Sequence, residues 1–561
     1  MTTADGAKTG ATTDWDVVVV GSGFGGSVSA LRLAEKGYRV LVVEQGRRFA
    51  PDDFPTTNRQ LSRWLWAPSR GWRGPFRMTL LKHQTILSGV GVGGGSLVYG
   101  ATLPVPRDGF YDGGDWRGLA DWRAELAPHY QMARRMLGVA TQPRREPGDT
   151  ALYDLAAEDG RADHAGPTEV GIFFGDGPPT PNSPPGPDAP AVADPYFDGA
   201  GPDRQPCRFC AACMLGCRHG AKNTLDRNYL WLAERLGAEV RAETTVTDVR
   251  PLPTSRDGGN GYVVTLTGTG LRTATKGRKT PLPVDTVTAG RVVFAGGVLG
   301  TVPLLLRLKR QGSLPALSDR LGHAVRTNSE AVIQVQSLDD TIYATGIGIT
   351  AGYTLADGTH IELVRYPPGS NVFAPVSFPH GEGATAGARL RGILGRMLRH
   401  PRAHARALFR RDRSAHSNTI LAMQTGGGCL RLDLDARGRL ISRPDTGPLP
   451  TAVVPAASAF ARRFAQRING IAFSLITETL AGKPTTAHIL GGAVIGADAS
   501  RGVIDTAHRL FGYDGLYVVD GSAVPSNPGV NPSLTITAMA ERAMALIPAK
   551  GDHGPGRVAA T

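Results

Sequence analysis

The segment that most constrains the fold of this chain is an N-terminal run of strand, glycine loop, helix and strand. Residues 16–20 (DVVVV), a buried-strand pattern, are followed at once by Gly-Ser-Gly-Phe-Gly-Gly and by a helix-like stretch that ends near Gly37. A second strand over 39–43 leads to Glu44, 18 residues after Gly26. This order and spacing predict a parallel βαβ unit that binds a dinucleotide.

The three spaced glycines of this loop have separate structural tasks. Gly21 permits the tight turn, Gly23 allows the backbone to approach a pyrophosphate, and Gly26 lets the helix pack closely on the strand. An acid at position 44 is placed for the hydroxyls of an unphosphorylated ribose. The pattern therefore favours FAD or NAD over NADP.

A second informative segment lies near the C-terminus, between His488 and Asn531. It contains HILGG, a short buried strand over 515–520, a Gly/Pro loop over 521–530, and a helix over 533–546 that Pro532 introduces. A helix start directs N–H groups and a positive dipole end at a phosphate or another anion. The imidazole and the carboxamide are thus candidate site residues, although a structural histidine and an N-cap asparagine would give the same pattern.

Other blocks return the chain to the same nucleotide-binding sheet. The loop over 88–100 packs five glycines into residues 89–95 between apolar flanks, which predicts an ordered loop that lies flat against a ring system or phosphates. Strand patterns over 239–250 and 289–300, the second continued by a helix over 301–309, extend the sheet. Because these blocks are separated in sequence, we expect the residues between them to build a second domain.

Length and composition set the broad class. A chain of 561 residues is too long for a single core. Its 41% hydrophobic and 20% charged residues, without an apolar run near the ~20 residues of a membrane helix, are typical of a soluble globular protein. The first 14 residues do not resemble a signal peptide. We therefore expect a cytoplasmic protein, with peripheral membrane contact left open.

Much of the basic excess is local. The net charge is +13, and nine arginines lie between Arg389 and Arg413. Apolar residues at 390, 393, 394, 397 and 398 alternate with them at helical spacing, which predicts an amphipathic helix interrupted at Pro401. Its basic face would be solvated on a helix packed against the core, or it would contact a membrane surface. No nucleic-acid motif accompanies it, so nucleic acid is not an expected partner.

Four of the five cysteines lie close together. Cys207, Cys210, Cys213 and Cys217 have the C-x2-C-x2-C-x3-C spacing of bacterial ferredoxin loops, although Arg218 stands where proline is usual. The spacing predicts iron–sulfur ligands, with Cys429 as a candidate remote ligand. Structural zinc, disulfides and unliganded cysteines are the alternatives, and a cytoplasmic chain disfavours disulfides.

Taken together, these blocks resemble the glucose–methanol–choline (GMC) flavin oxidoreductases, and within them the bacterial cholesterol-oxidase-like branch. The similarity covers roughly half the chain, in the family's order. The matching blocks are DVVVVGSGFGGSVSALRLAEKGYRVLVVEQG, GVGGGSLVYGATLPVP, GCRHGAKNTLDRNYL, RVVFAGGVLGT, HILGG and FGYDGLYVVDGSAVPSNPGVNPSLTITAMAERA.

The resemblance implies an α/β fold with two domains. One is a Rossmann-type FAD-binding domain assembled from discontinuous segments, and the other is an α+β substrate-binding domain with a mainly antiparallel sheet. The implied boundaries are 14–105, 205–330 and 480–548 for the first, and 106–204 and 331–479 for the second, with flexible termini at 1–13 and 549–561.

The resemblance also implies the reaction, which is oxidation of a sterol or similar hydrophobic alcohol to a ketone by hydride transfer to N5 of FAD. His488 would bind the hydroxyl and help to take its proton, while Asn531 would orient the oxygen and support the reduced flavin. The implied cofactor contacts are Gly21, Gly23, Phe24, Gly25, Gly26, Glu44, Gly93, Gly94, Gly95, Ser96, Asp520, Gly521, Asn531, Pro532 and Ser533.

Glu362 is a further candidate, because sterol enzymes of this branch carry a glutamate that shifts a double bond after oxidation. It lies in an alternating strand before a Tyr-Pro-Pro turn. A carboxylate that faces an apolar cavity is suited to act as a base. The alternatives are a solvent-facing strand acid and an ion pair with Arg365.

Two substitutions distinguish this chain from better-known members: Ile489 replaces a proline, and Tyr99 replaces an asparagine. We expect the reaction class to survive both changes, but the substrate need not be cholesterol.

Electrons would pass to O2, or through an iron–sulfur cluster to a protein or quinone acceptor. The second route would make the chain a dehydrogenase of a non-sterol alcohol.

Overall fold

The computed structural model describes residues 13–175, 190–253, 255–269 and 284–552, so most of both predicted flexible termini lies outside the described residues. Two large sheets dominate, and we name them the first sheet and the second sheet. The helices are Phe24–Glu35, Leu61–Trp64, Asp108–Tyr111, Trp122–Met136, Pro147–Glu158, Tyr229–Arg235, Val298–Gln311, Ala386–Arg399, Pro401–Leu408, Pro455–Arg467, Ile476–Ala481 and Ser533–Ala545.

The first sheet has a parallel centre built from valine-rich strands. Val17, Val18 and Val19 are fully buried, as continuous apolar runs are when helices cover both faces of a parallel sheet. Val18 pairs with Leu41 on one side and with Val292 on the other. The strand order is Glu239–Arg241, Val40–Val43, Trp15–Val20, Val284–Phe294, Tyr262–Gly268 and Thr244–Pro251, and Leu516–Val518 pairs with the end of Val284–Phe294.

Helices from distant parts of the sequence hold this sheet together. Helix Phe24–Glu35 packs on helix Ser533–Ala545. Arg32 and Glu541 form an ion pair of 2.7 Å between them, and the Tyr229 hydroxyl donates to Glu541 at 2.6 Å. The N-terminal, middle and C-terminal blocks therefore share one sheet, which confirms a nucleotide-binding fold assembled from discontinuous segments.

Two elements of the first sheet differ from the sequence-based expectation. The strand predicted over 239–250 is broken, because Glu243 takes a left-handed backbone conformation with φ of 52°. Only its first part is parallel, and the second part turns into an antiparallel hairpin. The helix predicted from residue 301 begins at Val298.

The second sheet is entirely antiparallel, which confirms the predicted sheet type. Its strand order is Ser377–Pro379, Gly470–Leu475, Ala331–Ser337, Ser417–Met423, His360–Val364, Ile349–Thr354 and Ala165–Pro167. Smaller ribbons are Phe76–Leu80 with Thr85–Gly89 and Thr485–Thr486, Leu430–Leu434 with Leu440–Pro444, Trp66–Ala67 with Trp72–Arg73, and Ala140–Thr141 with Glu169–Val170.

Helices Pro147–Glu158 and Pro455–Arg467 cover one face of the second sheet through an apolar core. A buried ion pair of 2.6 Å also joins Asp149 of the first helix to Arg365, and neither side chain has any exposed surface. Arg365 is therefore not the partner of Glu362, and that alternative from the sequence is wrong. No helix of the described ranges is long and apolar enough to cross a membrane.

Candidate active site

One cavity of about 840 Å³ connects the two sheets, a size ordinary for a ligand site. On one side it is lined by the glycine loops of the first sheet, and on the other by a face of the second sheet. The lining of the second sheet includes Val332, Gln334, Val364, Thr419, Leu421 and Phe473. A polar, glycine-rich end thus continues into a mostly apolar one.

The N-terminal glycine loop has the geometry that its sequence predicts. Gly21 has φ of 102°, and a Cβ there would lie 2.5 Å from the Ala295 carbonyl oxygen. A Cβ on Gly26 would lie 2.0 Å from the Gly21 carbonyl oxygen, so that glycine permits helix packing. Gly23, in contrast, lines the cavity and has no atom near its Cβ position. This bare backbone before a helix start suits a pyrophosphate.

Glu44 lines the same end of the cavity and is held by the loop. Its carboxylate accepts hydrogen bonds from the Ser22 N–H at 3.1 Å, the Ser22 hydroxyl at 2.8 Å and the Gly46 N–H at 2.8 Å. Ser22 Oγ also accepts from the Gly93 N–H at 3.1 Å. Sequence reasoning missed Ser22, which ties the acid to both glycine loops.

The second glycine loop lies directly on the first. Gly94 has φ of 54°, and a Cβ there would lie 2.6 Å from the Cα of Gly23. Ser96 supports the loop, since its hydroxyl donates to the Gly93 carbonyl at 2.7 Å and accepts from the Leu225 N–H at 3.0 Å. Of the predicted cofactor-contacting residues, Gly26, Gly93 and Ser96 do not line the cavity. The others do.

The two C-terminal reversals are joined by backbone hydrogen bonds. The Gly491 N–H donates to the Gly521 carbonyl at 2.9 Å. Asp520 is buried and accepts from the backbone N–H groups of Gly297 and Ser522, both at 2.8 Å. These bonds place the turn after His488 beside the loop that leads to Asn531.

A short segment, Thr327 to Glu330, anchors both loops, and we call it the junction segment. Asn328 has φ of 55° and is fully buried. Its side chain donates to the Val530 carbonyl at 3.0 Å and accepts from the Gly529 N–H at 2.9 Å. The Thr327 carbonyl accepts from the Thr486 hydroxyl at 3.1 Å. One segment thereby fixes the approaches to His488 and Asn531.

His488 is oriented by a carboxylate that the sequence did not reveal. Its Nδ1 is in direct contact with Glu330, which is fully buried and also accepts from the Ala487 N–H at 2.9 Å. Burial acts to lower the pKa of His488, but the charge of Glu330, with a smaller contribution from Glu362, outweighs it and raises the pKa above its ordinary value. Since Nδ1 is occupied, Nε2 is the nitrogen left for a ligand in the cavity.

Asn531 and Glu362, which the sequence proposed as separate candidates, contact each other. The Asn531 Nδ2 donates to Glu362 Oε2 at 3.1 Å, and both side chains are buried. His360 Nε2 lies 3.6 Å from the other Glu362 oxygen. Glu362 is therefore not a solvent-facing acid. Because Glu362 accepts from Asn531 and its charge also acts on His488, the three predicted side chains lie together.

The predicted metal site is not found at the cysteine run. Within the described ranges, no group of three or more His, Cys, Asp and Glu side chains could hold a metal ion. Phe209 and Ala211 both have positive φ, and the resulting turns bury Cys207 and Cys213 in an apolar cluster but leave Cys210 exposed. All four cysteines, and also Cys429, carry free thiols. Burial raises the pKa of Cys213 to about 12.

The arginine-rich region forms two helices, with a break at Pro401 as predicted, but its faces are not as expected. Arg389 is buried and donates to the backbone carbonyls of Gly383 at 2.9 Å and Leu480 at 3.0 Å. Leu394 and Leu398 are 50% and 81% exposed. The interpretation that this apolar stripe packs on the core is therefore wrong for these leucines.

Comparison with known proteins finds two matching family models and similar relatives. Residues 446–540 match the family described as GMC oxidoreductase, and residues 16–51 match the family described as FAD binding domain. A cholesterol oxidase of Mycobacterium tuberculosis is 44% identical over 554 residues, covering 96% of this chain and 92% of the relative. A cholesterol oxidase of Acinetobacter baumannii is 41% identical over 543 residues, covering 96% and 95%.

A solved structure shares the fold at low sequence identity. Pyridoxine 4-oxidase from Mesorbium loti superposes with a TM-score of 0.58 at 14% identity, over 95% of this chain and 99% of that one. The fold and the glycine loops define a flavoprotein with an FAD-binding domain. With relatives above 40% identity over nearly its whole length, the chain belongs to the GMC oxidoreductase family.

The contact between Glu330 and His488 predicts how the pKa of His488 responds to substitution. Replacing Glu330→Gln removes the negative charge that favours the imidazolium form, so the pKa of His488 should fall below its wild-type value. Nuclear magnetic resonance titration of protein with isotope-labelled histidine measures it. His508, which contacts the Val518 carbonyl and whose pKa burial lowers to about 4, is the internal control and should not move. An unchanged pKa of His488 would contradict this account of the pair.

Proposed function

We propose that this protein oxidises the hydroxyl of a sterol or similar hydrophobic alcohol to a ketone, with FAD as the oxidant. The observation that carries the proposal is the meeting of His488 and Asn531 at the point where the glycine-lined end of the cavity joins its apolar end. The two cholesterol oxidases described above support a sterol as the substrate.

The residues present fit FAD. Gly23 and the start of helix Phe24–Glu35 suit the pyrophosphate, Glu44 suits the ribose hydroxyls, and Gly94 with Gly95 leaves room for a flat ring. A side chain at Gly94 would collide with Gly23, which shows why bare backbone is needed there. When bound, FAD supplies the two-electron acceptor for the carbinol hydrogen.

The protein side chains would handle the proton of the alcohol. His488 Nε2 accepts the hydrogen bond of the substrate hydroxyl and takes its proton as the carbonyl forms. Glu330, a positioning residue, fixes the imidazole and stabilises the imidazolium that results. Asn531 uses one amide hydrogen for Glu362 and keeps a second to donate to the substrate oxygen. The oxygen is thus held from two directions.

The relatives favour O2 as the electron acceptor, since two of them are named as oxidases. The alternative from the sequence, a dehydrogenase that passes electrons through an iron–sulfur cluster, is not favoured. The cysteine donors lack a metal-binding arrangement in the described part of the chain. We therefore propose a sterol oxidase rather than a dehydrogenase of another alcohol.

Loss of His488 tests the proton transfer. His488→Ala should slow anaerobic bleaching of the bound flavin by a 3β-hydroxysteroid by about a hundredfold or more, because a positioned base contributes at least that much. Rapid-mixing absorption spectroscopy on the flavin-loaded variant measures the rate. His416→Ala, which alters a histidine that contacts the Thr341 carbonyl outside the cavity, is the matched control. Equal bleaching rates in the two variants would contradict a role of His488 in proton transfer.

Glu362 is proposed to move the double bond after oxidation, by removing a proton from the steroid and returning it at a second carbon. Its carboxylate is buried and accepts from Asn531, which lines the cavity. Its distance from solvent keeps the transferred proton within the site.

Glu362→Gln retains an acceptor for Asn531 but cannot shuttle a proton. We expect the variant to oxidise the alcohol and to release the unconjugated ketone, with conversion to the conjugated ketone reduced by about a hundredfold or more. Absorption of the conjugated enone and chromatography of the products separate the two steps. Glu382→Gln, at an acid paired with Arg462 on the surface, is the control. Unchanged isomerisation in Glu362→Gln would remove this residue from the mechanism.

We also propose peripheral contact with an anionic membrane through the arginine-rich helices. Leu398 and Phe409 are 81% and 85% exposed amid exposed arginines, a combination typical of interfacial helices. Helix Ala386–Arg399 packs on Ile476–Ala481, and Ile476 is both exposed and part of the cavity lining. We infer that a sterol passes from a bilayer into the cavity beside Ile476.

Replacing both Leu394→Glu and Leu398→Glu should weaken binding to vesicles that contain phosphatidylglycerol by about tenfold or more, because buried leucines contribute strongly to membrane affinity. Vesicle sedimentation measures the binding. Leu546→Glu, at a leucine 54% exposed beyond the end of helix Ser533–Ala545, is the matched control. Equal binding of both variants and the wild type would refute membrane contact through this surface.

A further inference from the structure

Arg413 is a buried cation on the substrate side of the cavity. Its side chain lines the cavity, and the residue is only 4% exposed. Its Nε donates to Gln336 Oε1 at 2.8 Å, Nη1 donates to the Ala374 carbonyl at 3.0 Å, and the guanidinium lies 4.3 Å from the ring centre of Phe473. The other terminal nitrogen, Nη2, has no hydrogen-bond partner among the described residues.

No carboxylate of the described residues neutralises this guanidinium. Arg365, the other buried arginine of the lining, pairs with Asp149 at 2.6 Å. The carboxylates among the described lining residues are Glu44 and Asp520, and both are held by the loops of the first sheet. Burial lowers the pKa of Arg413, yet a guanidinium stays charged at neutral pH. A buried charge is normally paired, so its partner should come from a ligand.

The position of Arg413 relative to the reacting end is set by one strand. Glu330, which contacts His488, lies just before strand Ala331–Ser337, and Gln336, which holds Arg413, lies near its other end. At roughly 3.3 Å per residue, the two ends are about 20 Å apart. Alternate residues of this strand and its neighbour line the cavity between them: Val332, Gln334, Leu421, Thr419 and Ser417.

We propose that Arg413 is a binding subsite for a carboxylate at the end of the substrate remote from the reacting hydroxyl. This inference rests on the proposed function, because the spacing is that of a steroid whose extended side chain ends in an acid. Ser370 supplies a second donor, since its hydroxyl is buried in the same lining without a partner in the described part of the chain. An anion there would gain charge-assisted hydrogen bonds in a desolvated site.

The test compares a 3β-hydroxysteroid whose side chain ends in a carboxylate with its methyl ester, using the flavin-loaded enzyme. Calorimetry gives the two dissociation constants, and anaerobic flavin bleaching gives the two rates. The wild type should bind the acid about tenfold or more tightly than the ester. Arg413→Gln should lose about ten- to a hundredfold in affinity for the acid and change little for the ester. Arg411→Gln, at an exposed neighbouring arginine, is the matched control.

The two proposals fail in different ways. If the wild type shows no preference for the acid over the ester, the subsite is overturned, whatever the variant does. If Arg413→Gln folds and keeps the preference, it is also overturned. If the acid binds preferentially through Arg413 but neither steroid bleaches the flavin, the subsite stands and the proposed oxidation fails. Arg413→Lys, which keeps the positive charge, should restore part of the preference.

Discussion

The arrangement of the site depends on a pair of buried polar side chains, Asn328 and Glu330, in the junction segment between the two sheets. Both are fully buried, so each must be satisfied by protein groups. Asn328 bonds the loop before Asn531, and Glu330 bonds the backbone and the imidazole of the His488 loop. Because the same segment opens strand Ala331–Ser337, the two loops are fixed relative to the sheet that forms the substrate side.

This constraint joins two kinds of surface in one cavity. Bare glycine backbone at Gly23 and Gly94 suits a flat, phosphate-bearing cofactor, whereas alternate residues of antiparallel strands present a wall of apolar and uncharged polar side chains. Where these two surfaces meet, Glu330 favours the charged form of His488. At the far end, Arg413 adds a charge that the protein leaves unpaired among its described residues. His488 and Arg413 thus lie at opposite ends of this path, and the other buried arginine of the lining, Arg365, is paired with Asp149.

The sequence predicted the parts with local signatures. The loop from Gly21 to Gly26 and the acid at Glu44 obey short-range spacing rules, and the GMC resemblance identified His488, Asn531 and Glu362. The sequence did not predict the roles of Glu330 and Asn328, because contacts between distant loops leave no local pattern. The cysteine run differs, since its spacing suits a cluster and the four thiols line one small cavity, yet no group of described side chains there could hold a metal ion. The sequence places Arg389 on a solvated face, yet it is buried and donates to carbonyls of the loop before its own helix and of helix Ile476–Ala481.

The central claim is that one cavity brings a flavin and a hydrophobic alcohol together beside His488 and Asn531. It is tested most directly by the absorption spectrum of the purified protein, recorded before and after anaerobic addition of a 3β-hydroxysteroid. The account predicts flavin bands that bleach on addition and return with air. A protein that stays colourless after incubation with FAD, or flavin bands that no hydrophobic alcohol bleaches, would contradict it.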